Sequence, residues 1–205
     1  MNESLVIAAP ARGQRTALPL AGRPALYLLA SIIVSLLAAS SAPTPLYATY
    51  QGLWHFTPIT TTVVFGVYAL TVLCALLVLG RLSDHVGRRP VLLAALAVQV
   101  VSLVLFTTAD GVTGLLVARI VQGLSTGAAL GAIGAGLLDI DRTRGTLANA
   151  ASPGTGTGTG AILSALAVRY LPAPTHLVYL VLIGVILVQA AGVALMRETA
   201  TPAPG

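Results

Sequence analysis

The stretch GRLSDHVGRR, residues 80–89, carries Arg81, Asp84, Arg88 and Arg89 in a chain where only 8% of residues are charged. A carboxylate held close to a helix N-terminus is stabilised by roughly 0.3–2 kcal/mol. That is enough to bias an equilibrium between two conformations. Asp84, bracketed by Gly80 and Gly87, is therefore a candidate for capping or favouring a nearby helix start, with Arg88 and Arg89 as its basic neighbours. A second stretch, RIVQGLSTGAALGAIG at 119–134, places Arg119, Gln122, Gly123, Thr126, Gly127 and Gly134 on one face at helical spacing. An arginine there is a candidate for charge handling in an apolar setting, and Gly123, Gly127 and Gly131 form a small-residue row for close helix contact.

Other combinations point to less. ASPGTGTGTGAILSALA (151–167) begins a G-x-G-x-x-G pattern at Gly154 and Gly156, but position 159 is Thr. Without any lysine in the chain a phosphate-binding Walker loop is excluded. Read as a helix, the same stretch puts Ser152, Gly156, Gly160 and Ser164 on one face, with Pro153 as a possible kink. Ser125 and His176 are the one pair that a serine protease could use, but GLSTG is not the tighter G-x-S-G form. Cys74 is the single cysteine, so no intrachain disulfide or cysteine metal cluster is expected. It is read as a small apolar side chain packed in the second span. His55, His85 and His176 read as solvated. No metal or cofactor site and no enzymatic activity are expected.

The elements that must carry these groups are apolar. The chain has 205 residues, 56% of them hydrophobic, and a mean hydropathy of +0.91. Six runs approach or exceed the ~20 residues needed to cross a bilayer: Ala25–Ala42, Ile59–Leu79, Val91–Ala109, Val112–Leu138, Leu147–Val168 and Leu177–Met196. Lipid offers the backbone no hydrogen bonds, so each run is expected to be an α-helix. Barrel strands would be about 9–11 residues long and would alternate in polarity.

Placement of charge sets the expected topology. Arg12, Arg15, Arg23, Arg81, Arg88, Arg89, Arg142, Arg144 and Arg197 fall in segments on one side, against Arg169 on the other and Arg119 within a span. By the positive-inside rule both termini are cytoplasmic, in a multi-pass protein of the cytoplasmic membrane. The basic balance then reflects topology, and no basic stripe interleaved with aromatics points to nucleic acid. Residues 1–24 are expected to be a cytoplasmic arm, 25–196 a six-helix membrane domain and 197–205 a cytoplasmic tail. Pro43 and Pro45 are expected to kink or end the first helix. Tyr47, Tyr50 and Trp54 fit an interfacial belt in an outer link of about 47–58. Gly80 is expected to end the second helix in a left-handed conformation, and DIDRTRG (139–145) to be a loop.

With those residues in view, Gly80, Asp84, Gly87, Arg88 and Arg89 fit G-x-x-x-D-[RK]-x-G-R-[RK], which resembles the signature loop of the major facilitator superfamily. His85 departs from its usual Arg or Lys. R-x-x-Q-G at 119–123 resembles a second motif of that family, linked to proton coupling. The resemblance implies the first six helices of a twelve-helix fold, built as two inverted three-helix repeats. It also implies transport of a small molecule, with drug-like efflux among the options. Asp84 would act at an inner gate, and Arg119, Gln122, Gly123 and Tyr47 near the cavity. Gly127, Gly131, Gly156 and Gly160 would serve helix packing. The implied partners are the lipid bilayer, a small-molecule substrate, and a missing C-terminal half or a second copy. A non-transporting remnant or regulatory membrane protein, and remotely an intramembrane serine protease, are the other classes the sequence leaves open.

Overall fold

The computed structural model describes residues 22–80 and 86–196. Their regular structure is a bundle of helices: α1 Arg23–Ser41, α2 Pro43–Trp54, α3 Pro58–Leu79, α4 Arg88–Thr108, α5 Val112–Ile140, α6 Arg142–Tyr170 and α7 Pro174–Ala194. Arg81, Asp84 and His85 lie outside the described residues, as do residues 1–21 of the expected N-terminal arm and the expected C-terminal tail; the arm's last two residues, Arg23 and Pro24, already belong to α1. In chain order the helices make two trios, α1/α2 with α3 and α4, and α5 with α6 and α7.

The first span is longer than its apolar run. Ala42 keeps right-handed backbone angles, φ −54° and ψ −39°, and its N–H donates to Ala38 O. With α2 it makes one helical rod, Arg23–Trp54. Pro43 and Pro45 open α2, and each, lacking an N–H, leaves the carbonyl four residues earlier, Ala39 O or Ser41 O, without its helical donor, yet the backbone keeps its helical course across them. The prolines therefore mark a joint and not an end. The link to α3 shrinks from the expected 47–58 to residues 55–57, after His55 closes α2 in a left-handed conformation.

The link between α5 and α6 is shorter still. Asp141 alone breaks the helical run, and its Oδ1 accepts from Arg144 N at 2.9 Å. It is an N-cap, so the loop expected over 139–145 is one residue. By length and apolar character the rod, α3, α4, α5 and α7 each suffice to cross a membrane. α6 has 29 residues, length enough to cross, but its glycines, threonines and serines make it the least apolar of the set.

Two glycine seams join the trios. Along α5, a Cβ on Gly123 would lie 2.7 Å from Thr71 Cβ, and one on Gly127 2.5 Å from Ala75 Cβ and 2.7 Å from Val72 O. One on Gly131 would lie 3.1 Å from Gly80 Cα. All are at or below the closest approach a methyl tolerates, so α3 lies directly on the α5 backbone. Along α6, a Cβ on Gly156 would meet Val34 O at 2.5 Å, and one on Gly160 would collide with Ala38 and Ser41. Here α1 is the partner. Side-chain bonds reinforce this seam: Ser41 Oγ donates to Thr157 O at 2.9 Å and Ser164 Oγ to Ala42 O at 2.6 Å.

Within this frame α1, α5, α4 and α7 close a ring, each touching the next. Its interior holds most of the buried apolar residues, among them Leu29, Ile32, Ile33, Leu36, Leu96 and Ile133. α3 lies outside the ring and exposes much of its surface, Cys74 included. Cys74 is thus not packed inside, contrary to the sequence expectation: it lies on the α3 face turned away from α5.

Candidate functional site

The middle of α5 faces the joint between α1 and α2, and that apposition creates the most polar part of the interior. Arg119 lies seven residues into α5, about 10 Å along it at 1.5 Å per residue. Its side chain is 0% exposed, so it does not snorkel to a surface. Nε and Nη2 both donate to Tyr47 Oη, at 3.0 and 2.9 Å. Nη1 donates to Ser40 O at 2.9 Å and to Gln122 Oε1 at 2.7 Å. Gln122 in turn donates from Nε2 to Ala39 O at 3.1 Å.

The bond to the Ala39 carbonyl follows from local structure. A proline has no N–H, so the carbonyls four residues before it lack their helical donor. Ala39 stands four before Pro43, and Gln122 supplies the donor it lost.

Aromatic rings enclose the rest of the guanidinium. Its Cζ lies 5.1 Å from the Tyr68 ring centroid, 5.2 Å from Phe65, 5.5 Å from Phe106 and 5.8 Å from Tyr47. These distances are within cation–π range. Tyr68 Oη donates to Ser40 Oγ at 2.7 Å, which ties α3 to α1 over the arginine. Among the described residues no carboxylate forms an ion pair with Arg119. The site therefore holds a permanent positive charge balanced by neutral oxygens and ring faces, in a place where charge is expensive.

Tyr47 and Tyr50 are buried rather than interfacial. Because the rod continues past Ala42, Tyr47 turns inward to Arg119. Tyr50 stacks on Trp54 with ring centroids 4.7 Å apart, and its hydroxyl lies 3.4 Å from that of Tyr179. Sequence reading found Arg119, Gln122 and Tyr47. It missed Phe65, Tyr68, Phe106 and Tyr179, whose ordinary apolar spacing gives no sign of what they surround. Gly123, Thr126 and Gly127 are buried beside this group, whereas Gly134 is only half-buried, near the Asn149 amide.

At the Arg88 end of the bundle a second set of charges converges. Gly87 has φ +101°, a region that favours glycine, and it turns the chain into α4 with Pro90 in the first turn. Arg88 forms an ion pair with Asp139 near the end of α5. Arg89 donates to Ala194 O at the end of α7. The pair of arginines thus ties α4 to both neighbours. Gly80 is right-handed, with φ −57° and ψ −35°, not left-handed as its position predicts. The Gly80 backbone is instead approached by the bare Gly131, on which a Cβ would lie 3.1 Å from Gly80 Cα.

Ser125 and His176 are not brought together. Ser125 is buried and donates from Oγ to Ala95 O at 2.8 Å, while His176 is exposed at the start of α7 and contacts Thr175. No group of three or more metal-ligating side chains occurs among the described residues.

Comparison with known proteins gives a consistent result. A sequence profile described as Major Facilitator Superfamily matches residues 27–205. A 74-residue segment, 35% of this chain, is 39% identical to 18% of an uncharacterized transporter from Rickettsia bellii (strain RML369-C). A 64-residue segment, 31% of the chain, is 38% identical to 16% of Multidrug resistance protein D from Escherichia coli (strain K12). The crystal structure of the human organic anion transporter MFSD10 (TETRAN) superposes with a TM-score of 0.64 at 22% identity. That match covers 85% of this chain and 47% of the human protein. The chain thus spans about half of that structure, and the matched segments span less than a fifth of the two curated relatives.

Proposed function

The chain belongs to the Major Facilitator Superfamily, a family of membrane transporters, and from that membership we propose that it supplies the N-terminal six-helix half of a permease that moves a drug-like small molecule across the cytoplasmic membrane. The observation that carries this reading is the fully buried Arg119 guanidinium, held by Tyr47, Gln122 and the Ser40 carbonyl without an acidic partner among the described residues. A charge placed at that cost in a membrane helix marks a substrate or proton pathway. The likeness to Multidrug resistance protein D favours a drug-like substrate.

The second body needed to enclose a cavity is a complementary six-helix half or another copy of the chain. Transport proceeds by rocking of the two bodies about a site near mid-membrane. Gly80, Gly87, Arg88 and Arg89, with Asp84 in the adjoining segment, form the inner gate. The arrangement of charge supports that orientation: Arg23, Arg88, Arg89, Arg142 and Arg144 cluster at one end of the bundle, and Arg169 stands at the other. The arginine-rich end is cytoplasmic.

The test is flux in proteoliposomes carrying the protein, driven by an imposed proton gradient, with a lipophilic fluorescent drug as the reporter. Gradient-dependent flux that disappears in Arg119→Gln and persists in Arg169→Gln supports the reading. Flux of equal size in Arg119→Gln, or none from the unmodified protein even when it is reconstituted with a complementary six-helix half, overturns it.

A further inference from the structure

Inside the α1–α5–α4–α7 ring lies a second polar group, separate from Arg119. Gln99 on α4 and Thr126 on α5 are both 0% exposed, and Gln189 on α7 is 8% exposed. Gln189 Nε2 donates to Ser31 Oγ at 3.1 Å and Ser35 Oγ at 2.9 Å, both on α1. Among the described residues its Oε1 has no hydrogen-bond partner, nor do Gln99 Nε2, Gln99 Oε1 or Thr126 Oγ1. Four orphaned polar atoms therefore come from three helices that face one interior.

Their levels along the bundle agree. Ser125 Oγ donates to Ala95 O and Ser102 Oγ to Ala118 O. This fixes the antiparallel register of α4 and α5 and sets Gln99 level with residues 121–122. The Phe106–Tyr179 stack and the Arg89–Ala194 bond fix α4 against α7, which sets Gln99 within about a turn of Gln189. Side chains on a helix lean toward its N-terminus. In antiparallel neighbours they lean toward each other, so Gln99 inclines toward the levels of both Thr126 and Gln189.

We infer that Gln99, Thr126 and Gln189 together form a binding site for water in the interior of the bundle. A buried amide that reaches no protein partner is costly, and lipid offers it nothing. A buried water typically makes about three hydrogen bonds to groups otherwise unsatisfied. Here it accepts from Gln99 Nε2 and donates to Gln99 Oε1 of the same amide plane or to Gln189 Oε1, with the Thr126 hydroxyl completing the set in either sense. The donor and acceptor inventory is balanced, which suits water better than an ion. The site stands apart from transport and does not depend on it.

The experiment is solution NMR of the protein in lipid nanodiscs, with 15N-labelled glutamine and transfer of magnetisation from water to side-chain amides. Gln99→Met removes one amide signal and so identifies it. The site predicts direct, slow-tumbling cross-relaxation from water to the Gln99 NH2, lost or reduced at least about twofold in Thr126→Val. If Gln99→Met fails to fold, Thr126→Val carries the test by itself, through loss of a water contact at one buried glutamine amide. Cross-relaxation of the Gln99 amide only to Gln189 or Thr126 protons, or a water contact unchanged in Thr126→Val, overturns the inference.

Discussion

The Arg119 guanidinium and the Tyr47 hydroxyl form a two-pronged contact: Nε and Nη2 both point at one oxygen, at 3.0 and 2.9 Å. Tyr47→Phe removes the acceptor for two N–H groups of a buried cation. A donor left unpaired costs about 1–3 kcal/mol, and more when charged. Thermal unfolding in detergent should show Tyr47→Phe losing stability at the upper end of that range. Tyr50→Phe, which forfeits only the long 3.4 Å contact to Tyr179, should lose about 1 kcal/mol or less. Equal losses would show that the arginine draws little from Tyr47.

The seams make glycine substitutions position-specific. Gly127→Ala drives a methyl into Ala75 and the Val72 carbonyl, so α3 must move; overpacking of this kind costs about 1–3 kcal/mol. Gly158→Ala, on the open side of α6 with nothing within 4 Å of the added carbon, should stabilise by roughly 0.5–1 kcal/mol through helix propensity. The two shifts in melting temperature should have opposite signs.

Ala173 is left-handed, with φ 49° and ψ 54°, directly before Pro174, where extended backbone is preferred. A residue with a Cβ is strained there by about 1–2 kcal/mol. Ala173→Gly should raise the melting temperature, and no change or a fall would show the strain to be relieved elsewhere.

The proposed orientation is open to a labelling test. In a Cys74→Ala background, cysteine at position 55 should react with an impermeant maleimide added to intact cells, and cysteine at position 143 only after the membrane is opened. The reverse pattern would invert the topology.

The ion pair between Arg88 and Asp139 has its acid half exposed, with side-chain exposures of 11% and 46%. Screening acts on such a pair. Asp139→Asn should cost about 1 kcal/mol or less, and the cost should shrink as salt is raised from 0.01 to 1 M on the order of those limits.

Which parts were legible in the sequence follows from what each residue's surroundings demanded. Five of the six apolar runs became helices long and apolar enough to cross a membrane, because hydrocarbon permits little but helices; the run at 147–168 became a helix too, but a less apolar one. The i, i+4 spacing of Gly123, Gly127 and Gly131, and of Gly156 and Gly160, pointed to close contacts, because only a bare backbone allows them. Gly80 does not make the left-handed turn its position suggests: it stays right-handed, and it is the bare Gly131 that comes up against its backbone. Pro43 and Pro45 read as a helix end, yet the rod continues, and the donor that Pro43 takes from Ala39 O is replaced from another helix by Gln122. That continuation, invisible in local sequence, is what carries Tyr47 from a supposed interface to Arg119. The α5–α6 joint is one residue and not the loop that DIDRTRG suggests, because Asp141 caps α6 directly. Phe65, Tyr68 and Phe106 were silent because aromatic residues at helical spacing are ordinary packing until a cation is placed among them.

The Gly-Thr alternation at 154–160 has period two, but a helix turns about 100° per residue, so only Gly156 and Gly160 meet α1 while Gly154 and Gly158 face outward. A tandem repeat of this kind invites slippage when its gene is copied. Gain or loss of a single Gly-Thr unit would rotate everything beyond it by about 200°. Ser164 and the whole run to Tyr170 would then swing away from α1. The reading frame would survive such an event, and the bundle would not.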